Sequence, residues 1–206
     1  MTELFLSAFV TLFVVIDPPG CAPIFFGLTT GASAEQRRRM AIKAVIIATL
    51  ILFGFAAFGE VLLRSLGISL EAFRIAGGIM LFFIAIDMVF EKRTQRREDR
   101  AQKVKETPEI EDVSVFPMAM PMIAGPGSIA TVMLLMARAT GPQQSAIVLS
   151  ALAANLALMM LALLTIGPIM RRFGSQVEAV ITRLLGVILA ALAVQFVLDG
   201  LEGSIL

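Results

Sequence analysis

Six apolar stretches alternate with short polar segments along the chain, and each is long enough to cross a bilayer. A hydrocarbon core of roughly 30 Å needs about 20 apolar residues in a helix. The pattern therefore predicts an all-α, polytopic membrane protein with six transmembrane helices. The predicted spans are Leu4–Leu28, Met40–Leu63, Ala72–Phe90, Val115–Met136, Ser145–Met170 and Ala179–Leu198.

Two of these stretches contain residues that interrupt a helix, at Asp17–Gly20 in the first and around Pro121–Ser128 in the fourth, where the motif is Gly125–Ser128. Proline removes a backbone donor and clashes with the preceding turn. Inside a membrane such a break persists only where protein or a water-filled cavity satisfies the freed backbone groups. We therefore expect helices one and four to be broken at mid-membrane, where many transporters bind their substrates.

Composition supports the membrane interpretation. Of 206 residues, 58% are hydrophobic, and the mean hydropathy is +0.89; a soluble domain is nearer half apolar. The net charge of +1 gives no electrostatic support for nucleic-acid binding. With no His and one Cys, a disulfide within the chain and a His/Cys metal site are excluded, and we expect no metal and no cofactor.

A charged linker separates the two halves of what is expected to be one integral membrane domain, residues 1–206. The first half comprises residues 1–90, the linker residues 91–112 and the second half residues 113–206. The linker holds seven basic and seven acidic residues, which predicts that it is solvated. Lys and Arg concentrate in the loops after spans one, three and five. This bias predicts a cytoplasmic linker and two periplasmic termini.

The two halves resemble each other when the chain is shifted by 107 residues. Pro19–Gly20 then aligns with Pro126–Gly127, and Ser33–Gln36 aligns with Thr140–Gln143. The last two segments each have the form of a helix capping box. Because each half holds three spans, the second must enter from the opposite side, which predicts two inverted three-helix repeats. The alternative is that a duplication only built a stable bundle.

Several motifs resemble those of the MarC family. They are residues 17–20 with Pro23, the Ala76–Gly78 start of span three, the linker, and Ala124–Thr131. The resemblance covers essentially the whole chain. It implies a six-span bacterial inner-membrane protein of a LysE-like superfamily. One branch of the family, the SnatA branch, is associated with proton-coupled transport of small neutral amino acids such as glycine and alanine.

The breaks suggest how such a substrate would bind. A half-helix N-terminus presents free N–H groups and a positive dipole end, which suit a carboxylate. Asp17 has the form of an N-cap before Pro18, but an intramembrane acid is also a candidate for proton coupling; both roles stay open. The candidate substrate-binding residues are Asp17, Pro18, Pro19, Gly20, Gly125, Pro126, Gly127, Ser128, Thr131 and Asn155.

Three of these candidates have competing roles. The hydroxyls of Ser128 and Thr131 offer hydrogen bonds to a ligand or bond back to their own helix. Asn155 either links helices or lines the cavity.

Our hypothesis is a secondary transporter that holds a small neutral amino acid at the midplane and exports or exchanges it with protons. Its expected partners are the substrate and the lipid bilayer of the bacterial inner membrane; an oligomer stays open. The alternatives are an efflux protein or channel for another small solute or ion, and a non-transporting accessory protein. An intramembrane enzyme is disfavoured, because the chain lacks His and has a single deep acid.

A topology reporter fused after Leu206 tests the orientation. A periplasm-active reporter such as alkaline phosphatase should be active there, and the same reporter placed in the linker should be inactive. An active linker fusion would reverse the orientation inferred from Lys and Arg.

Overall fold

The structure, a computed structural model, describes residues 1–90, 112–173 and 176–205, and these are helical apart from short connections. This confirms the all-α prediction for the described part. All but the last residue of the predicted linker, Asp112, lie outside it. The helices are α1 (Thr2–Ile16), α2 (Pro18–Leu28), α3 (Ala34–Ser65), α4 (Leu70–Val89), α5 (Pro126–Arg138), α6 (Pro142–Phe173) and α7 (Gln176–Ile205), with an irregular proline segment (Ser114–Ile123) before α5.

The described helices account for the predicted spans. Five are long and apolar enough to cross a membrane, with α1 and α2 together making one of them, Thr2–Leu28. The proline segment and α5 make a sixth when they are counted as one span bent by 50°. The chain is thus a helical membrane protein with five to six candidate spans.

The first half of span four is not the regular helix that the sequence analysis expected. Within the proline segment, Phe116 and Met120 have extended backbones, with φ of −124° and −134°. Each directly precedes a proline, Pro117 or Pro121, and the proline ring disfavours the helical conformation for the residue before it. The segment therefore enters the bundle as two short turns, and the regular helix begins only at α5.

The packing of the helices places the breaks inside the bundle. Helices α1 and α2 pack on α6, the proline segment and α5 pack on α3, and α4 packs most extensively on α7. The first of these pairings matches the second when the two halves are exchanged, because span one packs on α6 as span four packs on α3. The inverted orientation of the repeats stays a prediction. Large apolar side chains on the outer helices are exposed, as expected for a lipid-facing surface: Ile46, Leu50, Phe58, Phe83, Leu161, Leu184 and Val187.

One predicted capping box is present and the other differs. The Ser33 hydroxyl accepts from the Gln36 N–H at 3.2 Å, and Gln36 Oε1 accepts from the Ser33 N–H at 2.9 Å. In the second half, Gln144 rather than Gln143 accepts from the Thr140 N–H, at 2.9 Å. Proline favours the first helical position. Helix α6 begins at Pro142, and its third residue is therefore Gln144.

Glycines allow α4 and α7 to approach closely, as small residues do in membrane bundles. A Cβ added at Gly78 would lie 2.7 Å from both the Ala193 carbonyl oxygen and Val197 Cγ2. On the partner helix, a Cβ added at Gly186 would lie 2.9 Å from Met88 Cβ. The two helix backbones are therefore in contact at these points.

Replacing Gly78 by alanine should destabilise the fold by about 1–3 kcal/mol, because the added methyl overpacks against backbone. Denaturant unfolding of the detergent-solubilised protein measures the change. Gly54→Ala is the matched control, since no atom lies within 4 Å of a Cβ added there. Equal stability of the two variants would contradict this account of the α4–α7 contact.

Candidate functional site

Asp17 alone forms the first break. Its backbone is left-handed, with φ 57° and ψ 65°, a conformation that Asp and Asn tolerate better than most side chains. Its N–H donates to the Phe13 carbonyl at 2.9 Å and ends α1. Its Oδ1 accepts from the Gly20 N–H at 3.1 Å and caps α2. One residue thus closes one helix and opens the next.

The N-terminus of α2 has no backbone donor left for a ligand. Pro18 and Pro19 carry no N–H, the Gly20 N–H is bonded to Asp17 Oδ1, and the Cys21 N–H donates to the Asp17 carbonyl at 3.0 Å. The expectation of free N–H groups at this half-helix is therefore wrong. A Cβ at Gly20 would also collide with the Asp17 carboxylate, so the cap itself requires glycine here.

The second break is built differently. Gly125 is the N-cap of α5, with φ −78° and ψ 170°, and no side chain caps this helix. Pro126 occupies the first position and lacks an N–H. Within the described part of the chain, the N–H groups of Gly127 and Ser128 have no hydrogen-bond acceptor, and the first intrahelical bond runs from the Ile129 N–H to the Gly125 carbonyl at 3.0 Å.

The two breaks meet in the interior of the bundle. Cys21 Sγ, one turn into α2, lies 4.0 Å from the Met122 carbonyl oxygen and 3.4 Å from that of Ile16. A Cβ added at Gly127 would lie 3.5 Å from Val15 Cγ1, just before the first break, and 2.5 Å from Ile84 Cδ1 of α4. Residues that flank the first break therefore lie against the second break and against the segment before it.

The two hydroxyls proposed near the second break differ. Thr131 is buried, and its Oγ1 donates to the Gly127 carbonyl of its own helix at 2.8 Å. Ser128 is 3% exposed, and its hydroxyl forms no hydrogen bond to any residue that the structure describes. Of the two, Ser128 alone keeps its hydroxyl for a ligand.

Asn155 joins α6 to α1. Its Nδ2 donates to the Phe9 carbonyl of α1 at 3.1 Å and to the Ala151 carbonyl of its own helix at 2.9 Å. Both partners are acceptors, which fixes the amide orientation. Its buried Oδ1 has no partner within the described residues. The side chain therefore links two helices and keeps one acceptor available.

Two arginine contacts at the outer ends of the short helices were missed by the sequence analysis, which used these residues only to orient the chain. At the end of α2, Arg37 donates to the Thr29 hydroxyl at 3.0 Å and carbonyl at 2.9 Å, and lies over the Phe26 ring at 5.0 Å. An arginine at the exposed carbonyls of a helix C-terminus is a recognisable signal.

At the outer end of α5, Arg138 pairs with Asp199 of α7 and lies 4.2 Å from the Phe196 ring centre. Asp199 also accepts from Gln195 Nε2 at 2.6 Å. Each short helix is thus held at its outer end while its inner end lies at a break.

A further ion pair fixes the chain where the proline segment begins. Lys43 of α3 pairs with Asp112, whose Oδ1 also accepts from the Ser114 N–H at 3.0 Å. The hydrogen bonds from Lys43 and Ser114 hold the pKa of Asp112 below its ordinary value. The described residues contain no group of three His, Cys, Asp or Glu side chains placed to hold a metal ion.

Comparison with known proteins places the whole chain among integral membrane proteins. A family model described as MarC family integral membrane protein matches residues 2–205. A UPF0056 membrane protein of Methanocaldococcus jannaschii is 37% identical over 99% of this chain and 98% of its own length. The UPF0056 membrane protein YvbG of Bacillus subtilis is 39% identical, with coverages of 98% and 96%. YhcE of Escherichia coli is 32% identical, with coverages of 95% and 90%. No solved structure matches.

Replacing Asp17 by alanine should destabilise the protein by about 2 kcal/mol or more, because both the cap and a side chain suited to the left-handed backbone are lost. Asp17→Asn keeps both and should cost about 1 kcal/mol or less. Denaturant unfolding in detergent compares the two variants. Equal losses would show that the cap does not stabilise the break.

Proposed function

The chain belongs to the MarC family of integral membrane proteins, and we propose that it is a secondary transporter of a small neutral amino acid such as glycine or alanine. The substrate is held at the midplane between the two helix breaks. Transport is coupled to protons, as export or exchange. The protein lies in the inner membrane with both termini periplasmic.

The meeting of two helix ends inside the bundle is the observation that carries this proposal. Helix α2 begins at the buried Pro18, and α5 begins at the exposed Pro126, between the buried Gly125 and Gly127. The Cys21 Sγ of α2 lies 4.0 Å from the Met122 carbonyl oxygen, just before α5. Irregular backbone at membrane depth is tolerated where it is buried in protein or lines a cavity. In many transporters such discontinuous helices form the substrate site.

Close packing around the breaks favours a small substrate. The space that a side chain would take at Gly20 is occupied by the Asp17 carboxylate, and at Gly127 by Ile84. A ligand of glycine or alanine size displaces less of this packing than a bulky drug would.

Asp17 is our candidate for proton coupling. It is 1% exposed, and it is the one charged side chain among the buried residues that the structure describes. Ionisable groups inside a membrane often belong to proton relays. A protonated carboxyl is a weaker acceptor than a carboxylate, so protonation would loosen the bond from the Gly20 N–H that caps α2. Cap and proton carrier are therefore compatible roles of one side chain.

Flux measurements in proteoliposomes test the proposal. Alanine and glycine uptake should be saturable and should increase with an imposed pH gradient, whereas leucine uptake should remain at the level of empty liposomes. In Asp17→Asn, which keeps the cap, the response to the pH gradient should be lost while saturable uptake remains.

Glu60→Gln is the matched control, because it removes an exposed acid whose ion-pair partner is Arg64 of the same helix, and it should leave the pH response unchanged. Uptake of alanine and glycine no faster than in empty liposomes would exclude this function. Saturable uptake with an unaltered pH response in Asp17→Asn would retain transport and remove Asp17 from proton coupling.

A further inference from the structure

The two breaks differ in the hydrogen-bond donors that they present, and we propose that this difference fixes how the substrate is oriented. The substrate carboxylate binds at the N-terminus of α5, on the N–H groups of Gly127 and Ser128 and the Ser128 hydroxyl. Its ammonium group faces the first break, where Asp17 carries the negative charge. This inference rests on the proposed function and assigns the ends of the substrate.

A comparison of the two helix ends carries the assignment. The first turn of α2 has two prolines, and its remaining donors are bonded to the side chain and carbonyl of Asp17. The first turn of α5 has one proline, a glycine cap without a side chain, and no acidic residue. Only α5 therefore offers donors to an anion, although the two helices begin within one residue of corresponding positions in the two halves.

Burial makes the unpaired donors of α5 significant. Gly127 and Ser128 are both buried, and a buried backbone N–H without an acceptor is rare in folded proteins, because it costs roughly the free energy of a lost hydrogen bond. The positive end of the helix dipole adds to the attraction for an anion. A carboxylate oxygen would accept charge-assisted hydrogen bonds from these groups.

The Ser128 hydroxyl is an independent sign of a ligand at this helix end. Thr11, Thr29 and Thr131 are also buried, and each donates its hydroxyl to a carbonyl four residues back at 2.8 Å. Ser128 is as buried as these residues but makes no such bond within the described chain. Because the Cα–Cβ bond in a helix tilts towards the N-terminus, the Ser128 side chain leaves the backbone towards the free N–H groups.

The polarity of the site then matches an α-amino monocarboxylate. The second break supplies donors and no charged side chain, while the first supplies a carboxylate already held in place by its own cap. A zwitterion placed between them has each end near the opposite polarity. A dicarboxylate would place an additional negative charge near Asp17, and a simple amine would leave the α5 donors unpaired.

A ligand series separates this inference from the proposed function. The purified full chain in detergent is titrated by calorimetry with alanine, with alaninamide, which lacks the carboxylate, and with propionate, which lacks the ammonium group. We expect alanine to bind, alaninamide to bind at least tenfold more weakly, and propionate to retain measurable binding.

Ser128→Ala removes one donor to the carboxylate and should weaken alanine binding about ten- to a hundredfold. The same change should leave the weak binding of alaninamide unaltered, because that ligand has no carboxylate to lose contact with. Thr11→Ala is the matched control, since the Thr11 hydroxyl bonds back to the Ser7 carbonyl, and it should leave all three affinities unchanged.

Each other outcome has a distinct meaning. Equal affinities for alanine and alaninamide, unaffected by Ser128→Ala, would overturn the carboxylate assignment and leave amino-acid transport standing. Ser128-dependent binding of propionate without binding of alanine would keep the anion site and exclude the amino-acid substrate. Binding of none of the three would overturn both. If Ser128→Ala does not fold, the ligand series on the unmodified chain still decides.

Discussion

An apolar membrane interior offers no water to unpaired backbone groups, and this constraint governs the rest of the structure. Every helix that begins or ends inside the bundle must find partners for its terminal N–H and C=O groups within the chain. Asp17 meets this requirement at the first break with one left-handed residue and one carboxylate. The second break meets it for the Gly125 carbonyl but not for the next two donors of α5. The site we propose lies where these two N–H groups of α5 have no partner among the described residues.

The surrounding bundle is arranged to keep these helix ends away from lipid. Long continuous helices, α3, α4, α6 and α7, carry most of the exposed large apolar side chains, and α1, α2 and α5 contribute much of the buried core. Glycine contacts between α4 and α7 bring two backbones together, and the arginine contacts of Arg37 and Arg138 hold the outer ends of the short helices.

The sequence was sufficient for the class of protein and the family, because these depend on local chemistry: long apolar runs, and the proline and glycine motifs within them. It also contained the signal for the irregular proline segment, since the residue before a proline is pushed out of the helical region, but the first half of span four was expected to be a helix. The sequence could not show that the two breaks differ in their free N–H groups. Which N–H groups remain free depends on the backbone angles at Asp17 and on the reach of its carboxylate. The contacts of Arg37 with Thr29 and of Asn155 with Phe9 depend on how helices approach in three dimensions.

The position of the only cysteine has a practical consequence. Cys21 is fully buried beside the junction of the two breaks, so a small thiol-reactive reagent reaches its sulfur only when the junction opens. The unmodified chain therefore carries a single built-in chemical reporter at its centre. Its alkylation rate measures how often the interior is accessible, and a membrane-impermeant reagent added to one side of a vesicle identifies the side from which it opens.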